Sequence, residues 1–121
     1  MTPRRAAPLL FLGFVVAFAA AFAQSEATYP ATEASKHIGE TATVMDKVDA
    51  VHQSGKGNIF LNMGGKYPHQ IFTAFIPAAS ASQFSDIQQY EGKTVAVSGK
   101  ITLYQGKPEI IVRSPSQLMI K

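Results

Sequence analysis

The chain has 121 residues, eleven Lys plus Arg against eight Asp plus Glu, a formal net charge of +3 and no cysteine. The missing cysteines exclude a disulfide-stapled scaffold, a cysteine zinc site and a lipid-modified cysteine anchor. Two of the positive charges are Arg4 and Arg5, so residues 24–121 carry nine basic against eight acidic side chains, a balance too even to indicate nucleic acid by charge alone.

Arg4 and Arg5 precede an apolar run over residues 9–22, and Ala21-Phe22-Ala23 places small residues where a signal peptidase needs them. This layout predicts a secretory signal over residues 1–23, cleaved before Gln24. The 14 residues of the run fall short of the roughly 20 that a bilayer-spanning helix requires. The expected product is an exported protein, periplasmic or extracellular, with no stable membrane span after cleavage. Residues 24–31 are small and polar, are interrupted by Pro30, and read as a flexible leader. The remainder, 32–121, suffices for one core and not for two domains.

From Thr32, the stretch TEASKHIGE predicts a cap and a short N-terminal helical turn, with Ala34, His37 and Ile38 on one side and Gly39 as the stop. Such a turn suits the end of a barrel. Residues 41–51, rich in Thr and Val with a period of two, predict a first strand that ends in the loop HQSGKGN. Residues 58–63 predict a second strand and 70–76 a third, closed by Pro77. The period then changes: Ser80 or Ser82 offers a cap, Phe84, Ile87 and Tyr90 recur every three residues, and Gly92 ends a short helix. Residues 94–104 predict a long fourth strand, Gln105-Gly106-Lys107 a tight hairpin, 108–112 a fifth strand, and the rest a closing tail.

Three strands, a helix and two strands is the order of the OB fold. The expected fold class is therefore mainly β: a five-stranded Greek-key barrel with a short helix between strands three and four. An internal similarity agrees with the strand assignment, because residues 39–48 align without gaps on 92–101. In an OB barrel the two long strands are neighbours and each must bend, which Gly99 permits in the second copy. The first copy has Asp46 at that place.

The stretch VAVSGKITLYQGKPEIIVRSPSQL resembles the closing half of small OB-fold nucleic-acid-binding domains, with V-x-G-x-[IV], a G-x-P hairpin and an apolar fifth strand. Phe60-Leu61-Asn62-Met63 also resembles the F-[IL]-[DN]-[LM] second strand of anticodon-binding OB domains in aminoacyl-tRNA synthetases. The resemblance implies base stacking on Phe60 and a polar role for Gln70 at the start of strand three. Where that family has an Arg-Asp pair, this chain has Gly64-Gly65.

OB folds bind on the outer face of strands two and three and on the flanking loops. If Ile59, Leu61 and Met63 point inward, Phe60 and Asn62 point outward. On strand three Phe72, Ala74 and Ile76 form the inward set, leaving Ile71, Thr73 and Phe75 outside. Phe60 then offers a base a flat face, against the plainer role of packing under a loop. Lys56, Lys66 and Lys107 in the loops, with Lys47 and Arg113 on strands, suit a phosphate backbone or simply keep the surface soluble. Tyr67 and Tyr104 either stack or plug the barrel ends. The candidate nucleic-acid-binding set is Phe60, Asn62, Gln70, Thr73, Phe75, Lys56, Lys66, Tyr67, Tyr104, Lys107 and Arg113.

Ser54-Gly55-Lys56-Gly57-Asn58 lacks the spacing of a phosphate-binding loop and leads into a strand rather than a helix. His37, His52 and His69 have no metal-ligand spacing, and no Ser, His and acid cluster in a nucleophile context. A secreted OB nuclease needs phosphate-gripping arginines, and Arg113 is the one arginine after the export signal. The expected function is therefore a non-enzymatic binding module without cofactor or metal, taking single-stranded nucleic acid with low sequence specificity. The alternative is a stress-related envelope protein that binds a small molecule, a glycan or a protein partner.

Overall fold

The computed structural model describes residues 26–121; the export signal expected over 1–23 and the first residues of the leader lie outside them. The described chain is mainly β. Its strands are β1 (Thr28–Tyr29), β2 (Thr41–Gln53), β3 (Ile59–Met63), β4 (Phe72–Ile76), β5 (Thr94–Tyr104), β6 (Lys107–Ile111) and β7 (Leu118–Ile120). They form one seven-stranded mixed sheet in the order β1-β2-β3-β4-β6-β5-β7, and a further pairing of β2 with β5 closes five of them into a ring. The free edges fall to β1 and β7, strands of two and three residues, and short edges offer little template for unwanted pairing.

The ring closes because its two long strands each serve two neighbours. β2 pairs with β5 through residues 41–47 and with β3 through 48–53, and a bulge between Val48 and Ala50 marks the handover. The extra residue there is Asp49; a bulge bends its strand and increases the twist. Asp46, the position aligned with Gly99, instead spends one carboxylate oxygen on the Ala31 N–H at 2.9 Å. In β5 the handover from β2 to β6 falls between Lys100 and Ile101, beside Gly99, whose φ of +151° suits glycine. A Cβ there would stand 2.8 Å from Ile110 Cγ2. The similar segments 39–48 and 92–101 thus lie antiparallel, Thr41 against Lys100 and Lys47 against Thr94.

Alternation fills the interior. Ala42, Val44 and Val48 of β2, Ile59, Leu61 and Met63 of β3, and Phe72, Ala74 and Ile76 of β4 are buried. Val95, Val97 and Ile101 of β5 join them, with Ile110 and Val112 from the fifth expected strand. The inward sets expected on strands two and three are those observed. Burial of side chains of this size is worth about 1.5–3 kcal/mol each.

Four elements differ from expectation. Thr28–Tyr29, expected in a flexible leader, pair in parallel with Thr43 and Val44. The Tyr29 hydroxyl donates to Glu40 Oε1 at 2.7 Å, its ring stacks on His37 with centroids 3.8 Å apart, and His37 Nδ1 lies 2.6 Å from Glu40 Oε2. Tyr29 and then His37 hold the Glu40 carboxyl below its ordinary pKa. The adjoining helical turn is a 3₁₀ helix, Ala31–His37, which buries Ala31 and Ala34; Ile38, expected on the same side, is 41% exposed. The single helix expected before strand four is instead an α-turn, Ala78–Ala81, and a 3₁₀ turn, Ile87–Tyr90. Pro77 rather than Ser80 or Ser82 stands at the first N-cap, and Asp86 has a φ of +49° between the pieces. Phe84, between the two pieces, and Tyr90 are nonetheless buried and Ile87 packs on the core; Ile87 and Tyr90, three residues apart, share one face of the 3₁₀ turn. Finally, the tail forms β7 on β5, Leu118 facing Val97.

Candidate nucleic-acid interface

The outer face of β3, β4 and β6 carries two rows of side chains set by strand register. His52 of β2 faces Phe60 of β3, which faces Phe75 of β4, which faces Ile111 of β6. Two residues along, Ala50, Asn62, Thr73, Glu109 and Thr102 stand abreast across β2, β3, β4, β6 and β5. The first row is mainly aromatic: Phe60 lies 6.0 Å from His52 and 5.3 Å from Phe75 between ring centroids. Flanked in this way, Phe60 is half-buried. The second row is polar yet covered, with Asn62 at 4% and Glu109 at 9% exposure.

The polar row is internally bonded in part. Thr73 Oγ1 donates to Asn62 Oδ1 at 2.9 Å, and Thr102 Oγ1 donates to the Glu109 carbonyl at 3.1 Å. Burial pushes the Glu109 carboxyl above its ordinary pKa. Beside the row Gln70, which precedes β4, buries its Oε1 with no hydrogen-bond partner.

His52 and Phe60 of the first row and Ala50, Asn62, Thr73 and Glu109 of the second line a cleft of about 820 Å³. Because β4 and β6 run parallel, the loop before β4 and the hairpin turn before β6 emerge side by side and wall one end. Tyr67 and Pro68 come from the loop, and Tyr104, Gln105 and Lys107 from the hairpin. The hairpin is a two-residue turn with φ of +49° at Gln105 and +80° at Gly106, the positive pair that matches strand twist. At this end Tyr67 is 78% exposed and Tyr104 58%, so Tyr104 is not a plug.

Eight of the expected residues line this cleft: Phe60, Asn62, Gln70, Thr73, Lys66, Tyr67, Tyr104 and Lys107. Three do not. Phe75 is outward but touches the site only by packing on Phe60. Lys56 sits in the β2–β3 loop, which gives Ser54 to the lining rather than its lysine. Arg113 follows β6 at the opposite end from its hairpin, where its backbone bonds to Gln83 and Gln117. Sequence reasoning missed His52 and Glu109, both of which line the cleft. Alternation carried a signal for Glu109: with Ile110 and Val112 inward, residue 109 faces out, abreast of Thr73.

Among the described residues no three His, Cys, Asp or Glu side chains are grouped to hold a metal ion, and no helix is long and apolar enough to cross a membrane. No protein-family model matches the chain, and no curated protein matches its sequence. Its fold does match solved structures, 48 chains in all. One is an aspartyl-tRNA synthetase from Leishmania major Friedlin, similar with a TM-score of 0.55 at 14% identity over 80% of this chain and 21% of that one. The present chain thus spans about a fifth of that protein's length, and the likeness is one of fold.

Proposed function

We propose that the chain is an exported OB-fold binding module that holds single-stranded nucleic acid, with low sequence specificity, in the cleft over β3, β4 and β6 and catalyses no reaction. The closed ring of β2, β3, β4, β6 and β5 supports reading the fold as a five-stranded OB barrel, and the fold likeness to a tRNA synthetase agrees with it. The observation that carries the ligand class is the pair of exposed tyrosines, Tyr67 and Tyr104, at one end of a cleft whose other end is the His52–Phe60 stack. Aromatic faces along a strand-lined groove accept successive bases with little regard to sequence.

The floor defines an orientation. Glu109 brings a carboxyl acceptor to the cleft lining, which suits amino groups on base edges and repels phosphate. Bases therefore face the floor, and the backbone runs along the rim at Lys66. Export rests on the N-terminal charge and apolar pattern; a mature N-terminus at Gln24, read by mass spectrometry of secreted protein, tests it.

The test of the ligand class is fluorescence anisotropy with labelled single-stranded DNA and RNA at low salt, where counterion release favours binding most. Absence of binding there overturns the proposal. The even charge and the buried Glu109 favour a second reading, an envelope protein that takes a sugar or another small polar ligand. That reading predicts a partner from envelope extract whose retention is insensitive to nuclease.

A further inference from the structure

Lys66 and Lys107 both line the cleft, yet their situations differ. Lys66 is exposed, whereas Lys107 is half-buried and its ammonium donates to the Pro68 carbonyl. That bond joins the β3–β4 loop to the β5–β6 hairpin, the two segments that wall the tyrosine end.

The loop over residues 64–71 is otherwise tied mainly at its base. The Ile71 N–H donates to the Met63 carbonyl at 3.0 Å, and the Gly65 N–H donates to Asp49 Oδ2 at 2.8 Å. The His69 N–H returns to the Lys66 carbonyl within the loop. Gly64 and Gly65 have φ of +72° and +132°, and a Cβ on Gly65 would lie 2.7 Å from the His69 carbonyl oxygen. The base of the loop is thus fixed by backbone geometry. Its distal part, carrying Tyr67, has Lys107 as its hydrogen-bonded link to the facing hairpin among the described residues.

We infer that Lys107 is a positioning residue for the cleft: it fastens the Tyr67 loop to the Tyr104 hairpin, and its role in binding is to hold that wall in place rather than to neutralise a phosphate. The inference rests on the nucleic-acid reading for its ligand, while the fastening can be tested without one. A loop already held loses less freedom when a base stacks on it.

The test compares Lys107→Met, Lys107→Arg and Lys66→Met. In the free protein, hydrogen exchange at His69 and Ile71, whose N–H groups donate to Lys66 and Met63, accelerates in K107M, most at His69, stays near wild type in K107R, which keeps a donor, and is unchanged in K66M. With a labelled single strand, K107M weakens binding about three- to tenfold, as loss of one partly exposed charged hydrogen bond would. Its slope of log affinity against log salt stays that of wild type. K66M reduces the slope by about 0.7, the value for one phosphate contact on a single strand. A K107M slope reduced by that amount with loop exchange unchanged overturns the inference. If the wild type binds no oligonucleotide, the nucleic-acid reading fails, and exchange alone decides: unchanged loop protection in K107M overturns the fastening too.

Discussion

Removing the exposed tyrosines separates binding from folding more cleanly than any other change. Tyr67 and Tyr104 are 78% and 58% exposed, and neither belongs to the core, so Tyr67→Ala and Tyr104→Ala should each change stability by no more than about 0.5 kcal/mol. If each ring carries a base, each substitution costs about 1–3 kcal/mol of binding, a rise in Kd of roughly five- to 150-fold. The double variant distinguishes two geometries. Independent bases give additive losses, whereas one base held between both rings gives a double variant little worse than either single one. Stacking involves no counterion, so the salt slope should be the same in all four proteins. The assay is anisotropy with a labelled single strand at two salt concentrations, with thermal unfolding run in parallel. Variants that melt like wild type and bind within twofold of it would refute the stacking argument.

Three further perturbations probe the floor and the ring. Glu109→Gln should raise the melting temperature at neutral pH: burial raises the folded carboxyl's pKa, so the unfolded chain loses its proton first and stability falls as pH climbs from the unfolded towards the folded value. Below the unfolded value both states are protonated, and the advantage of E109Q should vanish in acid melts. Asn62→Leu leaves the covered Thr73 hydroxyl without its acceptor and should cost about 1–3 kcal/mol in urea unfolding, most of it recovered by adding Thr73→Val. Gly99→Ala meets a φ of +151° and a Cβ position 2.8 Å from Ile110 Cγ2 and 3.2 Å from Gln117 Nε2. About 2–4 kcal/mol of strain and overpacking is expected, read as a lower urea midpoint.

What the sequence revealed follows where period two is long enough to register. The strand over residues 94–104 matches β5 at both ends, and the inward triplets of β3 and β4 follow from alternation alone. β1 and β7 escaped because two or three residues carry no measurable period, and a parallel partner such as β2 leaves no turn signal nearby. The split helix shows another limit. Phe84, Ile87 and Tyr90 disclosed which face is buried, but three-residue spacing suits a 3₁₀ turn as well as an α-helix, and the left-handed Asp86 had no signature. The bend in β2 fell at Asp49 rather than Asp46, because the handover between partners is decided by register with β3 and β5, which are distant in the chain.

The site was less legible than the fold for a related reason. Alternation says that Phe60, Asn62, Thr73 and Phe75 face outward, and all of them do, yet only the pairing of β4 with β6 brings Glu109 abreast of Thr73. That pairing joins segments far apart in sequence and places an acid at the centre of a surface otherwise read for its lysines. It also divides those lysines by role: Lys56 lies off the cleft, Lys66 stands at its rim, and Lys107 is spent on Pro68. With the charges so reduced, a single strand bound as proposed would gain little from the floor and would be held mainly by its bases. On that reading the tyrosine wall and Phe60, rather than net charge, would set its affinity, and the tyrosine variants should cost more than Lys66→Met at physiological salt.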